Sequence, residues 1–430
     1  MRITEDPDLY RDLTMRPTPL AALIVALAFT STSAMACDGS EEPEPQAEEP
    51  NAEPETPDNP FGDLPEEMPE GAQEISTEDQ DLWVTEVAGP FEHPWAMAFL
   101  PDGQMLVTER SGQLHRVHDG EVTQISGLPE LQANNQGGLL DVSLHPDFED
   151  NDWIYFTYSS PDPDSSHTAT AVGRARLDGD ELTDVEEIFI HNQYSSPGRH
   201  YGSRLTWLGD GTFLASIGDR GADPPRAQDT QDHAGSVIRL NDDGSIPDDN
   251  PFVDDEDVLD EIYTYGNRNI QGMARDEDTD TVWASDHGPR GGDILYTIEA
   301  GRNYGWPIFT YGDDYQTGEP MDETETQDPD DLDDVDAPYH LFDPSHPPSG
   351  LTIIRDANFD AWQGNILVGG LRTQEIRRIV TNDEGAEHEE AILSNEMGRI
   401  RDVRQAPGGG AIYILPDTPD AMLYRVDAAR

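Results

Sequence analysis

From about Leu82 to the C-terminus, apolar residues come in short runs rich in β-branched and aromatic side chains, cut by Gly, Pro, Asp and Asn. No stretch holds the three-and-four spacing of a long amphipathic helix, so the pattern predicts short strands joined by tight polar turns. One unit recurs six times: a strand, a polar turn, a second strand, then a Gly- or charge-rich exit loop. The six are FLPDGQMLVTERSG around Gly103, HPDFEDNDWIYFTYSS around Asn151, WLGDGTFLASIGDRG at Gly211, RDEDTDTVWASDHGPRGG around Asp280, DAWQGNILVGGLRT at Gly364 and QAPGGGAIYILPDT at Gly409. They lie roughly 45 to 85 residues apart, a spacing that suits four-stranded blades with variable insertions. The expected fold class is all-β: a six-bladed β-propeller of four-stranded antiparallel blades, which protects strand edges by radial repetition. A β-sandwich or a pair of smaller β domains is the alternative. The acidic stretch 313–338 reads as a surface insertion.

Upstream the pattern changes. Leu20 to Phe29 (LAALIVALAF) is an apolar run too short to span a bilayer but suited to a signal-peptide core. Residues 1–36 are therefore expected to be a signal peptide. Translation from Met15 gives the basic start MRPTPLAALIV, whereas Glu5, Asp6, Asp8 and Asp12 are wrong for a signal. Cys37 is the single cysteine, which excludes an internal disulfide. Following Ala34-Met35-Ala36, it resembles a bacterial lipoprotein box, with Ala34 where Leu is usual; plain cleavage after Ala36 is the alternative. Residues 37–80, rich in Glu and Pro, read as an extended self-repelling tether, and residues 81–430 as the propeller. The expected location is outside the cytoplasm, periplasmic or at the cell surface, with a lipid anchor on Cys37.

Charge narrows the chemistry. The chain has 89 acidic residues against 25 basic ones, a formal net charge of -64, and every one of those cations is Arg. Without Lys there is no Walker-A lysine, Schiff base or Ser–Lys dyad. So acidic a chain lacks the basic footprint needed for nucleic acid. Its self-repulsion is screened in molar salt, where the Debye length is roughly 3 Å, so a salt-adapted protein is expected. An ordinary acidic secreted protein is the plainer reading.

Loops at one face of a propeller converge on its axis, and several polar clusters flank the repeats. Asn134-Asn135-Gln136-Gly137-Gly138 precedes an apolar strand start. Arg199-His200-Tyr201-Gly202-Ser203-Arg204 leads into the third repeat, which ends Gly218-Asp219-Arg220-Gly221. Gly266-Asn267-Arg268-Asn269-Ile270-Gln271-Gly272 precedes the fourth, which ends Asp286-His287-Gly288-Pro289-Arg290-Gly291-Gly292-Asp293. Arg372 exits the fifth, and Arg399 and Arg401 enter the sixth on one strand face. Singly, a His such as His200 is more often a structural hydrogen-bonder, glycine runs are turns, and the paired Arg residues cover acidic surface. Together, alternating guanidinium groups suit a planar polyanion that accepts bidentate bonds.

From about Pro94 onward the stretches PWAMAFLPDG, NQGGLLDVSLHPDF, HYGSRLTWLGDG with IGDRG, YGNRNIQGMA, DHGPRGGD, GRNYGWP and GRIRDV with PGGG resemble the soluble aldose sugar dehydrogenases that use pyrroloquinoline quinone (PQQ). The resemblance implies PQQ- and calcium-dependent oxidation of aldoses at C1 to lactones. It implies that His200 is the general base, that Asp219 orients it, and that Arg268 bonds the developing quinone oxyanion. Gln136 and Asn269 match polar contacts to substrate and cofactor, Arg372, Arg399 and Arg401 the cations gripping the cofactor carboxylates, and Gly288 and Pro289 the main-chain carbonyls holding calcium. The implied partners are an aldose and an external electron acceptor, a membrane quinone or cytochrome. Two departures stand out: Arg372 occupies a position that is Lys in the best-known branch, and Ile294 follows Asp293 where a second acidic residue is usual. A non-catalytic propeller binding module and a calcium-dependent lactonase are the competing functions.

Overall fold

Each repeated turn joins the first two strands of one blade. In the computed structural model the described residues are 60–61, 64–196, 198–319, 335, 338–355, 357–382 and 385–430. The expected signal segment, Cys37, most of the tether and most of the 313–338 insertion lie outside them. Blade 1 runs Pro94–Phe99, Met105–Glu109, Gln113–His118 and Glu121–Ile125; blade 2, Leu139–Leu144, Trp153–Pro161, Thr168–Asp178 and Glu181–Ile190. Blade 3 runs Gly202–Trp207, Phe213–Ile217, Val237–Leu240 and Ile262–Thr264; blade 4, Ile270–Asp276, Thr281–Asp286, Ile294–Thr297 and His340–Leu341. Blade 5 runs Pro348–Ile353, Ile366–Gly370, Ile376–Asn382 and Gly385–Ile392. The first strands of blades 1 to 6 touch one another in sequence, and the sixth touches the first, so they form a closed ring about the axis. The expected six-bladed all-β propeller is the fold.

Closure uses both ends of the domain. Blade 6 comprises Ile400–Gln405, Ile412–Pro416 and Ala421–Ala428, and the upstream strand Leu82–Phe91 pairs antiparallel with Ala421–Ala428. A further short strand, Gln73–Ile75, pairs with Leu82–Phe91 and makes this sheet five-stranded. Phe61 and Leu64 pack with Phe91, Met97 and Tyr413, and Arg378 binds Asp79 at 2.8 Å. The end of the segment assigned by composition to a tether thus adds to the propeller surface. Apolar residues fill the spaces between neighbouring sheets, as where Tyr155 and Val172 of blade 2 meet Leu205, Phe213 and Ile238 of blade 3.

A register shift interrupts the inner strand pair of every blade near the start of the first strand: Pro94/Ala96, Leu139/Val142, Gly202/Leu205, Ile270/Gly272, Pro348/Leu351 and Ile400/Asp402. Such bulges leave backbone groups unpaired and re-aim side chains. In blades 1 to 3, a hydroxyl on the second strand accepts one of those N–H groups. Thr157 accepts the Asp141 N–H at 2.9 Å and donates to the Ser203 carbonyl of blade 3 at 2.9 Å. Thr108 likewise accepts from Ala96 and donates to Leu140 of blade 2, and Ser216 accepts from Arg204 and donates to Ile270 of blade 4. Blades 1 to 4 are thereby stitched in succession at the bulges beside the site. Deeper on the axis, Asp141 and Asp402 alternate with Arg204 and Arg404 in a paired cluster, with distances of 2.7 to 3.2 Å.

Candidate active site

The bulged starts of the inner strands and the ends of the second strands converge at one mouth of the ring. His200 precedes the inner strand of blade 3, and Asp219 follows its second strand. Gly218 lets the two approach: a Cβ there would lie 2.1 Å from the His200 carbonyl oxygen. His200 Nδ1 is 2.7 Å from Asp219 Oδ1. The other Asp219 oxygen accepts the Trp306 indole N–H at 2.9 Å, and Oδ1 also accepts the Gly221 N–H at 2.7 Å. Burial raises the Asp219 carboxyl pKa, but the His200 bond, the Arg268 charge and the Gly221 N–H outweigh it and hold it below the ordinary value. Asp219 is therefore an anion that accepts the Nδ1 proton, which leaves the Nε2 lone pair of His200 available.

His200 has a left-handed backbone, with φ of 51°, a conformation that costs a non-glycine residue on the order of 1 kcal/mol or more. Three contacts over-determine it. Its N–H donates to Gln136 Oε1 at 2.7 Å, while Arg220 Nη1 donates to the carbonyls of His200 and Arg199 at 2.9 and 2.7 Å. Arg220 itself is fully buried, its guanidinium 3.6 Å from the Tyr201 ring centroid. Burial lowers the pKa of His200, the Asp219 bond opposes that, and the Arg268 charge adds to the lowering.

Blade 4 supplies the second wall. Asp286 accepts the N–H groups of Arg268 and Asn269 at 2.9 and 2.6 Å, fixing both at the start of its inner strand. Burial pushes the Asp286 carboxyl up to about 6 against these bonds. Arg268 lies 5.2 Å over the Trp306 ring and donates to the His287 carbonyl at 3.1 Å. Asn269 Oδ1 accepts the Gly202 N–H at 3.1 Å. Arg399 and Arg401, flanking the start of the blade 6 inner strand, both reach Asp417 Oδ2 at 3.1 Å.

Two cavities meet at His200. One, of about 200 Å³, is lined by Gln136, His200, Arg268, Asn269, Arg399 and Arg401 together with Trp95 and Arg110. The other, of about 290 Å³, shares Gln136, His200 and Arg268 and runs towards Asp219, Pro289, Trp306, Asp314 and Tyr315. Six of the expected residues thus share one wall. Arg372 does not join them: it is exposed, and its neighbour Leu371 lines the cavity instead. Arg110, Trp306 and Asp417 are the site residues that sequence reasoning left without a role. Arg110 and Asp417 occupy, in blades 1 and 6, the same second-strand end that Asp219 occupies in blade 3, and that equivalence was the available signal.

The donor set fits a planar, carboxylate-bearing cofactor. Arg268 Nε and Arg401 Nε are buried with no hydrogen-bond partner among the described residues, and both belong to side chains on the cavity wall. The set also fits a hard cation, because the buried Gly288 and Pro289 carbonyls accept no hydrogen bond among the described residues, and calcium takes oxygen ligands. Gly288 N–H is held by Asp293 Oδ1 at 3.1 Å, and Ser345 binds the other oxygen at 2.5 Å. Burial pushes Asp293 up to about 6. Ile294 beside it lies in the blade 4 sheet, paired with Asp286.

The family profile described as Glucose / Sorbosone dehydrogenase matches residues 91–425. The aldose sugar dehydrogenase YliI of Escherichia coli is 36% identical over 340 residues, covering 78% of this chain and 90% of the relative. The crystal structure of the soluble aldose sugar dehydrogenase from Escherichia coli in the apo-form superposes with a TM-score of 0.76 at 36% identity, over 80% of this chain and 99% of that one. The PQQ-bound aldose sugar dehydrogenase of Streptomyces coelicolor gives 0.63 at 25% identity, over 81% and 98%. With the profile spanning all six blades, the chain belongs to the glucose/sorbosone dehydrogenase family.

Proposed function

We propose that this protein oxidises aldose sugars at C1 to lactones, with PQQ as electron acceptor, calcium as its metal and His200 as general base. The observation that carries this reading is the His200–Asp219 pair, set between the arginine-lined cavity and the Trp306–Tyr315 cavity. The likeness to the aldose sugar dehydrogenases supports the substrate class, and the likeness to a PQQ-bound enzyme supports the cofactor.

When bound, PQQ supplies the carbon that accepts a hydride from C1, and calcium a Lewis acid on the adjoining carbonyl. His200 Nε2 takes the proton of the C1 hydroxyl, and Asp219 stabilises the imidazolium that forms. Such a base contributes about 10²- to 10⁴-fold. Arg268 offers a fixed guanidinium where negative charge develops, and its Trp306 and His287 contacts hold it there in advance. Gln136 both accepts the His200 N–H and faces the cavity, which suits a polar contact to the sugar. Arg399 and Arg401 would bind cofactor carboxylates, and Gly288 and Pro289 the calcium ion.

Electrons leave to an external acceptor, a membrane quinone or cytochrome, and a chain exported and lipidated at Cys37 would lie beside it. A lactonase centre would need carboxylates free to bind metal, whereas the axial Asp141 and Asp402 are both paired with Arg. A binding module would leave the His200–Asp219–Trp306 relay without a use.

The test is reconstitution of the apo-protein in high salt with PQQ and calcium, following dye reduction with a panel of aldoses and EDTA as control. Saturable reduction requiring sugar, PQQ and calcium together is the expected result. Tight PQQ binding with no aldose turnover would overturn the substrate class, and no PQQ binding would overturn the cofactor.

A further inference from the structure

One buried carboxylate, Asp417, lies against three guanidinium groups that line the cavity. Arg399 and Arg401 donate to Asp417 Oδ2, each at 3.1 Å, and Arg110 Nη1 lies 3.9 Å from Oδ1. His93 Nδ1 is 2.7 Å from that same oxygen. Arginine stays charged in proteins, so the cluster carries two positive charges more than Asp417 neutralises. Burial and its neighbours Arg399 and Arg110 lower the pKa of Arg401, against the pull of Asp417. The Arg401 Nε has no partner among the described residues. Cations gathered and partly buried this way are costly until an anion arrives.

The three cations come from two adjacent blades. Arg110 directly follows the second strand of blade 1, while Arg399 directly precedes the inner strand of blade 6 and Arg401 is its second residue. Arg110 is also fixed at its backbone. Its N–H donates to the His93 carbonyl at 3.2 Å, and its own carbonyl packs on Gly138, where a Cβ would lie 1.7 Å from the oxygen. Only glycine at 138 permits that approach. Arg372, by contrast, stands exposed and off the cavity wall.

We propose that Arg110 is the third carboxylate-binding cation of the cofactor site, in the role that sequence resemblance gave to Arg372. The inference rests on the PQQ reading above and deepens it. A planar ligand bearing several carboxylates is the chemistry that two adjacent, pre-positioned groups of guanidinium would recognise, because each carboxylate accepts paired N–H bonds from a separate fork.

The test is PQQ binding to the full-length apo-protein with calcium, read by PQQ absorbance and protein fluorescence, with no sugar and no electron acceptor present. Arg110→Gln should weaken binding about 10- to 100-fold, as expected for loss of one charge-assisted contact. Arg110→Met, which keeps the packing of the stem, should do the same. Arg372→Gln should change it by less than about 5-fold, the range of an exposed charge. Wild-type affinity in either folded Arg110 variant overturns the proposal, as does a larger loss in Arg372→Gln. Absence of PQQ binding by the wild-type protein would overturn the cofactor reading itself, a result distinct from unchanged affinity in the variants.

Discussion

Asp219 joins two rings through its two oxygens: Oδ1 lies 2.7 Å from His200 Nδ1, and Oδ2 accepts the Trp306 indole N–H at 2.9 Å. The carboxylate therefore fixes His200 in its tautomer and is fixed in turn by a residue from a different blade.

Asp219→Asn should retain PQQ binding while kcat falls by about 10²- to 10⁴-fold, because the amide no longer holds the Nδ1 proton on His200. His200→Ala should lose a similar factor. Near-normal turnover in either variant, measured with saturating PQQ and calcium, would remove His200 from the role of base. Trp306→Phe should lower kcat less and leave the melting temperature closer to wild type than a cavity-forming change would.

Stability of the apo-protein should rise from about pH 4 to pH 6.5. Burial lowers His200, and it depresses His191 and His346 to about 4 and His287 to about 3. Against an ordinary value of about 6.5, His191, His346 and His287 are neutral when folded but protonated when unfolded across that window, and the lowering of His200 acts in the same direction. The unfolded chain then binds more protons, so unfolding becomes harder as pH increases. Asp286 and Asp293 oppose this: raised to about 6, they keep protons in the folded chain that the unfolded chain has released above about pH 4. The three strongly depressed histidines against two raised carboxyls leave a net rise. Calorimetry in molar salt, which screens the acidic surface, checks it; a melting temperature that falls across the window would contradict the balance. If His200 is the base, the same lowering should move the acid limb of kcat/KM downward from the ordinary histidine value.

The positions of His200, Asp219, Arg268 and Arg401 were legible because the six repeats place strand starts and second-strand ends at one face. The same rule reaches Arg110 and Asp417, but a lone Arg or Asp in TERSG or LPDT looks like surface charge until its blade neighbour is known. Arg372 follows the rule in sequence and departs from it in space, since the turn after Gly370 carries Leu371, not Arg372, to the wall. Trp306 lies in the long connection after the third strand of blade 4, outside the repeated unit, so periodicity gives no position for it. Thr108, Thr157 and Ser216 read as ordinary strand hydroxyls. Their role depends on a register shift that only the paired strands reveal.

Tyr315 is 66% exposed yet lines both cavities at the mouth of the site. Its turn is firm: Asp314 Oδ1 accepts the Gln316 and Thr317 N–H groups at 2.9 and 2.8 Å, and Asp313 pairs with Arg290 beside the candidate calcium carbonyls. An exposed ring held at the mouth of the cavities that His200 also lines suits stacking on the apolar face of a sugar. Tyr315→Ala should raise KM for aldoses about 5- to 10-fold with little change in kcat, equivalent to the loss of roughly 1 kcal/mol of uniform binding. Tyr315→Phe should keep the wild-type KM. A fall in kcat at constant KM would instead assign the ring to the chemical step.

Low salt should destabilise the protein, because a net charge of -64 repels itself when the Debye length is long. The melting temperature should climb between about 0.01 M and 1 M salt, where that length shrinks from about 30 to 3 Å. Equal melting temperatures at both ends would mean that the local Arg pairs already offset the repulsion.

The inter-blade stitch makes its own prediction at Thr157. Its hydroxyl serves two buried backbone groups on different blades, the Asp141 N–H and the Ser203 carbonyl, each at 2.9 Å. Thr157→Val keeps the shape and leaves both groups unpaired, at about 1–3 kcal/mol apiece. The melting temperature should therefore drop more than for a like change at an exposed strand Thr such as Thr123. Because Ser203 follows Gly202, which binds Asn269 Oδ1 on the cavity wall, loosening this bulge should also lower kcat. Equal melting temperatures for the two variants would show that the bulges hold without the hydroxyl.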